Sequence, residues 1–270
     1  METSYLVHIL SVDRLNEEEW MIVVNAANIE KNARHFRAHL NSKDCFEDIS
    51  FQTAKLDLQG PQSRDVLKQW APGIEVLSFY TFGQFSISGI PCLISRTGYT
   101  GELGFEIYCP CQKAKEIWKK ILNNDTVKPT GLGVRDVLRT EVCYSLYGHE
   151  LDEEISPFEA GLDKFVDPQK DFIGKQALEG RLVTRKIMYF TSLSRKSPRP
   201  GNVIFDEKGL EIGRVTSGSF SPALQLGIGI GFMDCPIKDV GCEISFGDEK
   251  SKAKARITKR PFYKQGSLKS

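Results

Sequence analysis

Hydrophobic and polar positions change period several times along this chain. Two short apolar runs, Tyr5-Leu6-Val7-His8-Ile9-Leu10 and Trp20-Met21-Ile22-Val23-Val24, flank the polar stretch Asn16-Glu17-Glu18-Glu19. Runs rich in β-branched and aromatic residues, separated in this way, predict a β-hairpin. A helical period follows, with Ile29, Ala33, Phe36 and Leu40 on one stripe, Asn28 at the N-cap and Glu30 in the first turn. Residues 51–58 predict a strand, ended by Gln59-Gly60-Pro61, and Pro61 suits the start of the short helix that follows. Strands are expected at 83–88, 91–95 and 104–109. Ala114, Ile117, Trp118, Ile121 and Leu122 form the cleanest amphipathic pattern, a core-packing helix over 112–122. A second helix covers 133–141. The order β-β-α-β-α-β-β-β-α-α predicts an α+β module with antiparallel sheets.

The text changes beyond residue 160. Residues 161–185 have mixed polarity and read as a connector. From Lys186 onward, short apolar runs at 187–190, 203–205, 212–216, 226–233, 242–246 and 253–258 alternate with Gly, Pro and Asp. That pattern predicts a small all-β barrel or sandwich over 186–265, following a first module over 1–160.

Composition narrows the class. Forty percent of the 270 residues are hydrophobic and 26% charged, as in ordinary globular chains. A formal net charge of +1 gives no bulk attraction to nucleic acid or to an anionic membrane, and no apolar run reaches the length of a membrane span. The seven cysteines, Cys45, Cys92, Cys109, Cys111, Cys143, Cys235 and Cys242, include no C-x-x-C pair and read as reduced thiols. The four histidines do not cluster with them, so no metal site is expected. His35 and His39 read as a solvated helix face. Met1-Glu2-Thr3-Ser4-Tyr5 lacks signal- or transit-peptide character.

Two stretches carry the candidate chemistry: Arg96-Thr97-Gly98-Tyr99-Thr100-Gly101-Glu102-Leu103-Gly104-Phe105-Glu106, and Gly133-Val134-Arg135-Asp136-Val137-Leu138-Arg139-Thr140-Glu141. The first predicts a glycine turn between strands, its glycines free to take positive φ or to admit a close neighbour. Glu106 lies between Phe105 and Ile107, and a carboxylate in an apolar strand needs donors or a cation. Arg135 and Arg139, four apart, share a helix face. Two readings stay open at this point. A flat heterocycle with ring N–H groups and an acid tail would use the carboxylate and the guanidinium groups. Alternatively, a Glu–Arg ion pair ties strand to helix.

These stretches, in this order, resemble the glycine-cleavage T-protein family of folate-dependent aminomethyltransferases. The likeness continues through Leu146-Tyr147-Gly148-His149-Glu150-Leu151-Asp152-Glu153, Pro157-Phe158-Glu159-Ala160-Gly161-Leu162, Asp171-Phe172-Ile173-Gly174-Lys175 and Thr216-Ser217-Gly218-Ser219-Phe220-Ser221-Pro222. It implies a folate-binding first module, tetrahydrofolate as the cofactor, and aminomethyl transfer from the lipoyl arm of a partner, the H-protein, with methylene-tetrahydrofolate and ammonia as products. By the same resemblance Asn25 contacts the pterin, Glu106 binds it, Arg135 holds the folate, and Tyr99 and Tyr144 line the pocket. Each tyrosine serves equally well as core packing. Thr216-Ser217-Gly218 is expected in a turn facing the first module.

The family carries a longer N-terminal segment and a catalytic Asp just before its first strand. With that strand placed at Tyr5-Leu6-Val7, Ser4 takes the Asp position. A serine supplies no charge and accepts no proton near neutral pH, so the resemblance also allows a folate- or H-protein-binding relative without turnover. Another tetrahydrofolate-dependent demethylating enzyme of the same fold is the second alternative. The iron–sulfur-assembly branch is disfavoured, because no cysteine falls in Lys170-Asp171-Phe172-Ile173-Gly174-Lys175. The implied compartment is the cytoplasm in a bacterium or the mitochondrial matrix in a eukaryote.

Overall fold

The computed structural model describes residues 11–41, 45–236, 239–248 and 250–268. The chain divides into two compact units. One takes in the described residues up to Arg135 and again from Gln265; the other runs over Asp136–Lys264.

In the first unit, β1 (Ser11–Arg14) pairs antiparallel with β2 (Trp20–Val23), Ser11 opposite Val23 and Arg14 opposite Trp20. The strand expected at 5–10 lies outside the described residues; the partner of β2 is the run 11–14. A 3₁₀ turn (Ala26–Asn28) leads into α1 (Ile29–His39). Asn28 precedes α1, but its side chain makes no capping bond. Its carbonyl accepts from Asn32 Nδ2 at 2.6 Å instead, because the 3₁₀ turn has already begun the helical winding.

Strands β3 (Thr53–Gln59), β4 (Phe82–Ile87), β5 (Ile90–Ser95) and β6 (Gly104–Pro110) form an antiparallel sheet in the order β3-β6-β5-β4. Strand β3 starts later than expected, since Phe51 sits in the preceding turn and is 87% exposed. Alternation sorts the sheet's faces. Leu56, Leu58, Cys92, Ile94, Phe105, Ile107 and Cys109 pack on Val66 and Leu67 of α2 (Ser63–Leu67) and on Ile117 and Ile121 of α3 (Ala114–Leu122). Trp118, counted in the same helical stripe, is 42% exposed and lies at its edge. Ile94, Phe105, Ile107 and Ile117 are fully buried, each worth about 1.5–3 kcal/mol. This apolar face anchors the sheet, so the opposite face, which carries Lys55, Asp57, Leu93, Ser95, Glu106 and Tyr108, can be polar. Helix α4 (Leu132–Glu141) follows. From β2 to α4 the observed element order is the one expected from the hydrophobic pattern.

In the second unit a short helix, α5 (Lys175–Glu179), precedes six antiparallel strands: β7 (Arg185–Ser192), β8 (Val203–Phe205), β9 (Glu211–Ser221), β10 (Leu226–Asp234), β11 (Glu243–Asp248) and β12 (Ser251–Ile257). They close into a barrel in the order β10-β7-β12-β11-β8-β9. The interior holds Phe190, Ile204, Val215, Met233, Ile244, Phe246, Ala255 and Ile257. Outside it, Ile187, Tyr189, Ile230 and Phe232 pack on Cys143, Leu151, Ile155 and Ala160. Strand β10 reads Leu-Gly-Ile-Gly-Ile-Gly-Phe. Its isoleucines do not all fill the barrel, because Ile230 belongs to the outer cluster. On the glycine side the Phe190 ring lies where a Cβ at Gly229 would stand.

Thr216-Ser217-Gly218 is not a turn; all three residues lie inside β9. The register shifts there, Ile230 facing Ser217 and Gly231 facing Val215, so Thr216 is the bulged residue. A bulge re-aims its side chain, and the Thr216 hydroxyl donates to Glu150 Oε1 at 2.5 Å.

Adding a methyl at Gly229 pushes directly on a fully buried ring. Gly229→Ala is expected to lower stability by about 1–3 kcal/mol, the usual range for overpacking. Chemical denaturation with unchanged midpoint would contradict the packing described.

Candidate functional site

The polar face of the first sheet centres on Glu106. Antiparallel pairing sets Asp57 of β3 directly opposite Glu106 on one side and Ser95 of β5 on the other. Glu106 is 8% exposed. Its Oε1 accepts from Lys55 Nζ at 2.5 Å, and its Oε2 accepts from Thr97 Oγ1 at 2.8 Å and Tyr108 OH at 3.0 Å. Ser95 Oγ bonds in turn with Thr97 Oγ1 at 2.7 Å. Burial pushes the Glu106 carboxyl up, but the Lys55 ammonium and the Thr97 and Tyr108 hydroxyls outweigh it and hold it below its usual range.

Asp57 goes the other way. Burial is the largest influence on it, and with the Glu106 charge it outweighs Lys55 and Arg135, so the Asp57 carboxyl lies above its usual range. Like charges directly opposite on a sheet repel, and Lys55, 3.4 Å from Asp57 Oδ1, bridges the two. Asp13 on β1 feels the same field: burial and Glu106 both raise it. Burial and Glu106 also raise the Tyr108 hydroxyl. Met21, Leu93 and Tyr108 contribute to an open groove of about 440 Å³.

Arg135 comes from α4. Its guanidinium lies 4.9 Å from the Tyr99 ring centroid and donates to Asp57 Oδ2 at 3.2 Å. Glu106, Arg135 and Tyr99 are thus linked through Asp57 and Lys55, and no direct Glu106–Arg135 pair is needed to hold the strand. The two arginines of the helix part company. Arg139 is buried, donating to Asp136 Oδ1 at 2.8 Å, Glu150 Oε2 at 2.9 Å and Ser217 Oγ at 2.7 Å. A buried guanidinium with every branch engaged is structural, so Arg139 is not a ligand group. Tyr144 belongs to the second unit, where its carbonyl accepts from Arg139 Nη1. Asn25 is exposed beyond the end of β2, its carbonyl accepting from Asn28 N–H. Ser4 lies outside the described residues, as does the strand at Tyr5-Leu6-Val7 on which its assignment rests.

The glycines of the turn serve a neighbour within the protein. The Gln59 side-chain amide occupies the space that a Cβ at Gly98 or Gly104 would need. Gln59 Nε2 donates to Thr97 O at 3.2 Å, and its Oε1 accepts from Thr100 Oγ1 at 3.0 Å. Ser267 pins the same turn, its backbone N–H donating to Glu102 Oε2 and its hydroxyl accepting from Leu103 N–H. Sequence reasoning missed Lys55, Asp57, Thr97 and Tyr108. The signal for three of them was the period-2 alternation of Lys55-Leu56-Asp57-Leu58 against Glu106-Ile107-Tyr108, which puts Lys55, Asp57 and Tyr108 on the face of Glu106; Thr97 reaches Glu106 from the glycine turn.

The sheet-borne carboxylate, the adjacent guanidinium and the aromatic ring together offer an acceptor, a cation and a flat wall, the groups that a flat ring with N–H donors and an acid group would use. Comparison with known proteins places the chain in a family. Residues 5–170 match the GCVT N-terminal domain, and residues 185–264 match the glycine cleavage T-protein C-terminal barrel domain. The aminomethyltransferase of Desulforamulus reducens is 39% identical over 266 residues, which are 95% of this chain and 72% of that protein. That of Pseudothermotoga lettingae is 42% identical over 268 residues, with the same shares covered. The crystal structure of glycine cleavage system aminomethyltransferase T from Bartonella henselae superimposes with a TM-score of 0.88 at 29% identity, covering 98% of this chain and 74% of that one. The chain belongs to the glycine cleavage T-protein family of aminomethyltransferases. Among the described residues, no helix is long and apolar enough to cross a membrane.

The opposite displacements of the two carboxyls have opposite consequences for stability. Glu106, depressed in the folded state, stabilises above its unfolded pKa, and that contribution fades as pH falls through its folded value. Asp57, raised, costs stability at neutral pH, and the cost disappears on acidification. Thermal melts are therefore expected to show Glu106→Gln less stable than wild type and Asp57→Asn more stable at pH 7, with both differences shrinking as the pH is lowered to about 3.

Proposed function

We propose that this chain transfers an aminomethyl carbon from the lipoyl arm of an H-protein to tetrahydrofolate, giving methylene-tetrahydrofolate and ammonia. The observation that carries the reading is the Glu106 carboxylate, held ionised inside an otherwise apolar strand by three donors. A carboxylate so poised accepts a pair of ring N–H groups, and a charge-assisted pair of that kind is stronger than a neutral one. Arg135 supplies a cation for the acid tail, and Tyr99 a flat amphipathic wall. Asn25 joins these contacts by family correspondence, and Tyr144, in the other unit, is assigned to the folate by that correspondence alone. The residues fit the group chemically: acceptor for the ring edge, cation for the acid, aromatic face for the ring. The near-neutral net charge suits a small anionic substrate and a protein partner better than nucleic acid. The compartment that follows is the cytoplasm of a bacterium or the mitochondrial matrix of a eukaryote.

Calorimetry with tetrahydrofolate tests the assignment. Glu106→Gln is expected to weaken binding by about 1.5–3 kcal/mol, the range for a hydrogen bond to a charged group, or roughly ten- to a hundredfold. Equal affinity for the two proteins would remove Glu106 from the site.

A further inference from the structure

The polar face contains two charges that the proposed folate contacts do not use, Lys55 and Asp57. They alternate on β3 and sit on the same face as Glu106. Lys55 Nζ takes Glu106 Oε1, the oxygen that has no other protein donor among the contacts above. Asp57 Oδ2 takes an Arg135 branch. Each thus stands on its partner as a ligand group would: an N–H donor on the carboxylate, an acid on the guanidinium.

We propose that Lys55 and Asp57 form an internal latch that competes with a heterocyclic acid for Glu106 and Arg135. The inference rests on the folate reading above and deepens it. Such a ligand binds by exchange: its ring N–H displaces or shares the Lys55 contact, and its acid displaces Asp57 from Arg135. Lys55 swings onto Asp57, already 3.4 Å away, and so neutralises the carboxylate that Arg135 releases. The exchange leaves Asp57 paired with Lys55 and Arg135 paired with the ligand's acid, while Glu106 trades its ammonium partner for ring N–H donors and keeps the Thr97 and Tyr108 hydroxyls. It also makes affinity depend on the charge of Asp57. The groups facing Asp57 are Lys55 on its own strand, Glu106 on β6 and Arg135 on α4; Tyr108 on β6 feels the Asp57 charge directly, and Asp13 on β1 feels that of Glu106. Protonating Asp57 frees Arg135, while Glu106, held ionised by three donors, keeps its charge.

The latch predicts that removing the Asp57 charge tightens binding. Calorimetry with 5-formyltetrahydrofolate at about pH 7 is expected to show Asp57→Asn binding about two- to fivefold tighter than wild type, the range for a half-exposed ion pair. Lowering the pH through the Asp57 titration should bring wild type towards the Asp57→Asn affinity and leave that variant's preference for the ligand nearly flat. The wild-type pH series needs no substitution and so tests the same point independently of the variant. A structural role alone predicts weaker or unchanged binding by Asp57→Asn, and that result, with Glu106→Gln still weakening the complex, overturns the latch alone. Wild-type binding that ignores Glu106→Gln overturns the folate reading and the latch with it.

Discussion

A buried carboxylate is the constraint on which the first unit depends. Burying Glu106 on the sheet, as its position requires, would cost several kcal/mol if the charge were left bare. The chain meets this locally. Lys55 comes from the neighbouring strand, Tyr108 from two positions along the same strand, and Thr97 from the glycine turn, itself held by Gln59 and Ser267. The apolar face of the same sheet supplies the rigidity. With one face locked by buried aliphatic and aromatic groups, the position of Glu106 is set by backbone pairing and not by its own rotamer alone.

The second unit satisfies its buried charges separately. Arg139 and Glu150, both almost fully buried, are engaged by Asp136, Ser217, Thr216 and Leu146 N–H. The bulge at Thr216 is what points a hydroxyl at Glu150. Glu159 is likewise gripped by Arg181, Arg185 and the Ser156 N–H, which holds its carboxyl low despite burial. These networks consume their charges in structure, whereas the Glu106 network leaves Arg135, Asp57 and Lys55 partly exposed and able to exchange partners.

Much of this architecture was legible from the hydrophobic pattern. The order of strands and helices through residue 141 and the change to short strands after 185 follow from periods of 2 and 3.6, because burial on one face decides both. The failures have physical causes. Asn28 was read as a cap because its type suits one; the preceding 3₁₀ turn removed the need. Thr216-Ser217-Gly218 looked like a turn because a bulge and a turn draw on the same small residues. Arg135 and Arg139 looked equivalent at four-residue spacing, and only the tertiary environment separates an exposed guanidinium from a buried one. Lys55 and Asp57 were overlooked because a charged pair on a strand reads as a solvated face until the register sets it against Glu106.

The central claim is that Glu106 and Asp57 are an opposed pair of carboxylates, one held ionised by its donors and the other disfavoured, on the face proposed to take a folate-type ligand. Carbon-13 NMR of the side-chain carboxyls, titrated against pH with and without 5-formyltetrahydrofolate, measures this directly. The account predicts a Glu106 resonance titrating below the usual carboxylate range and an Asp57 resonance titrating above it, with both moving when the ligand is added. Two carboxyls titrating at ordinary values and unmoved by the ligand would contradict it.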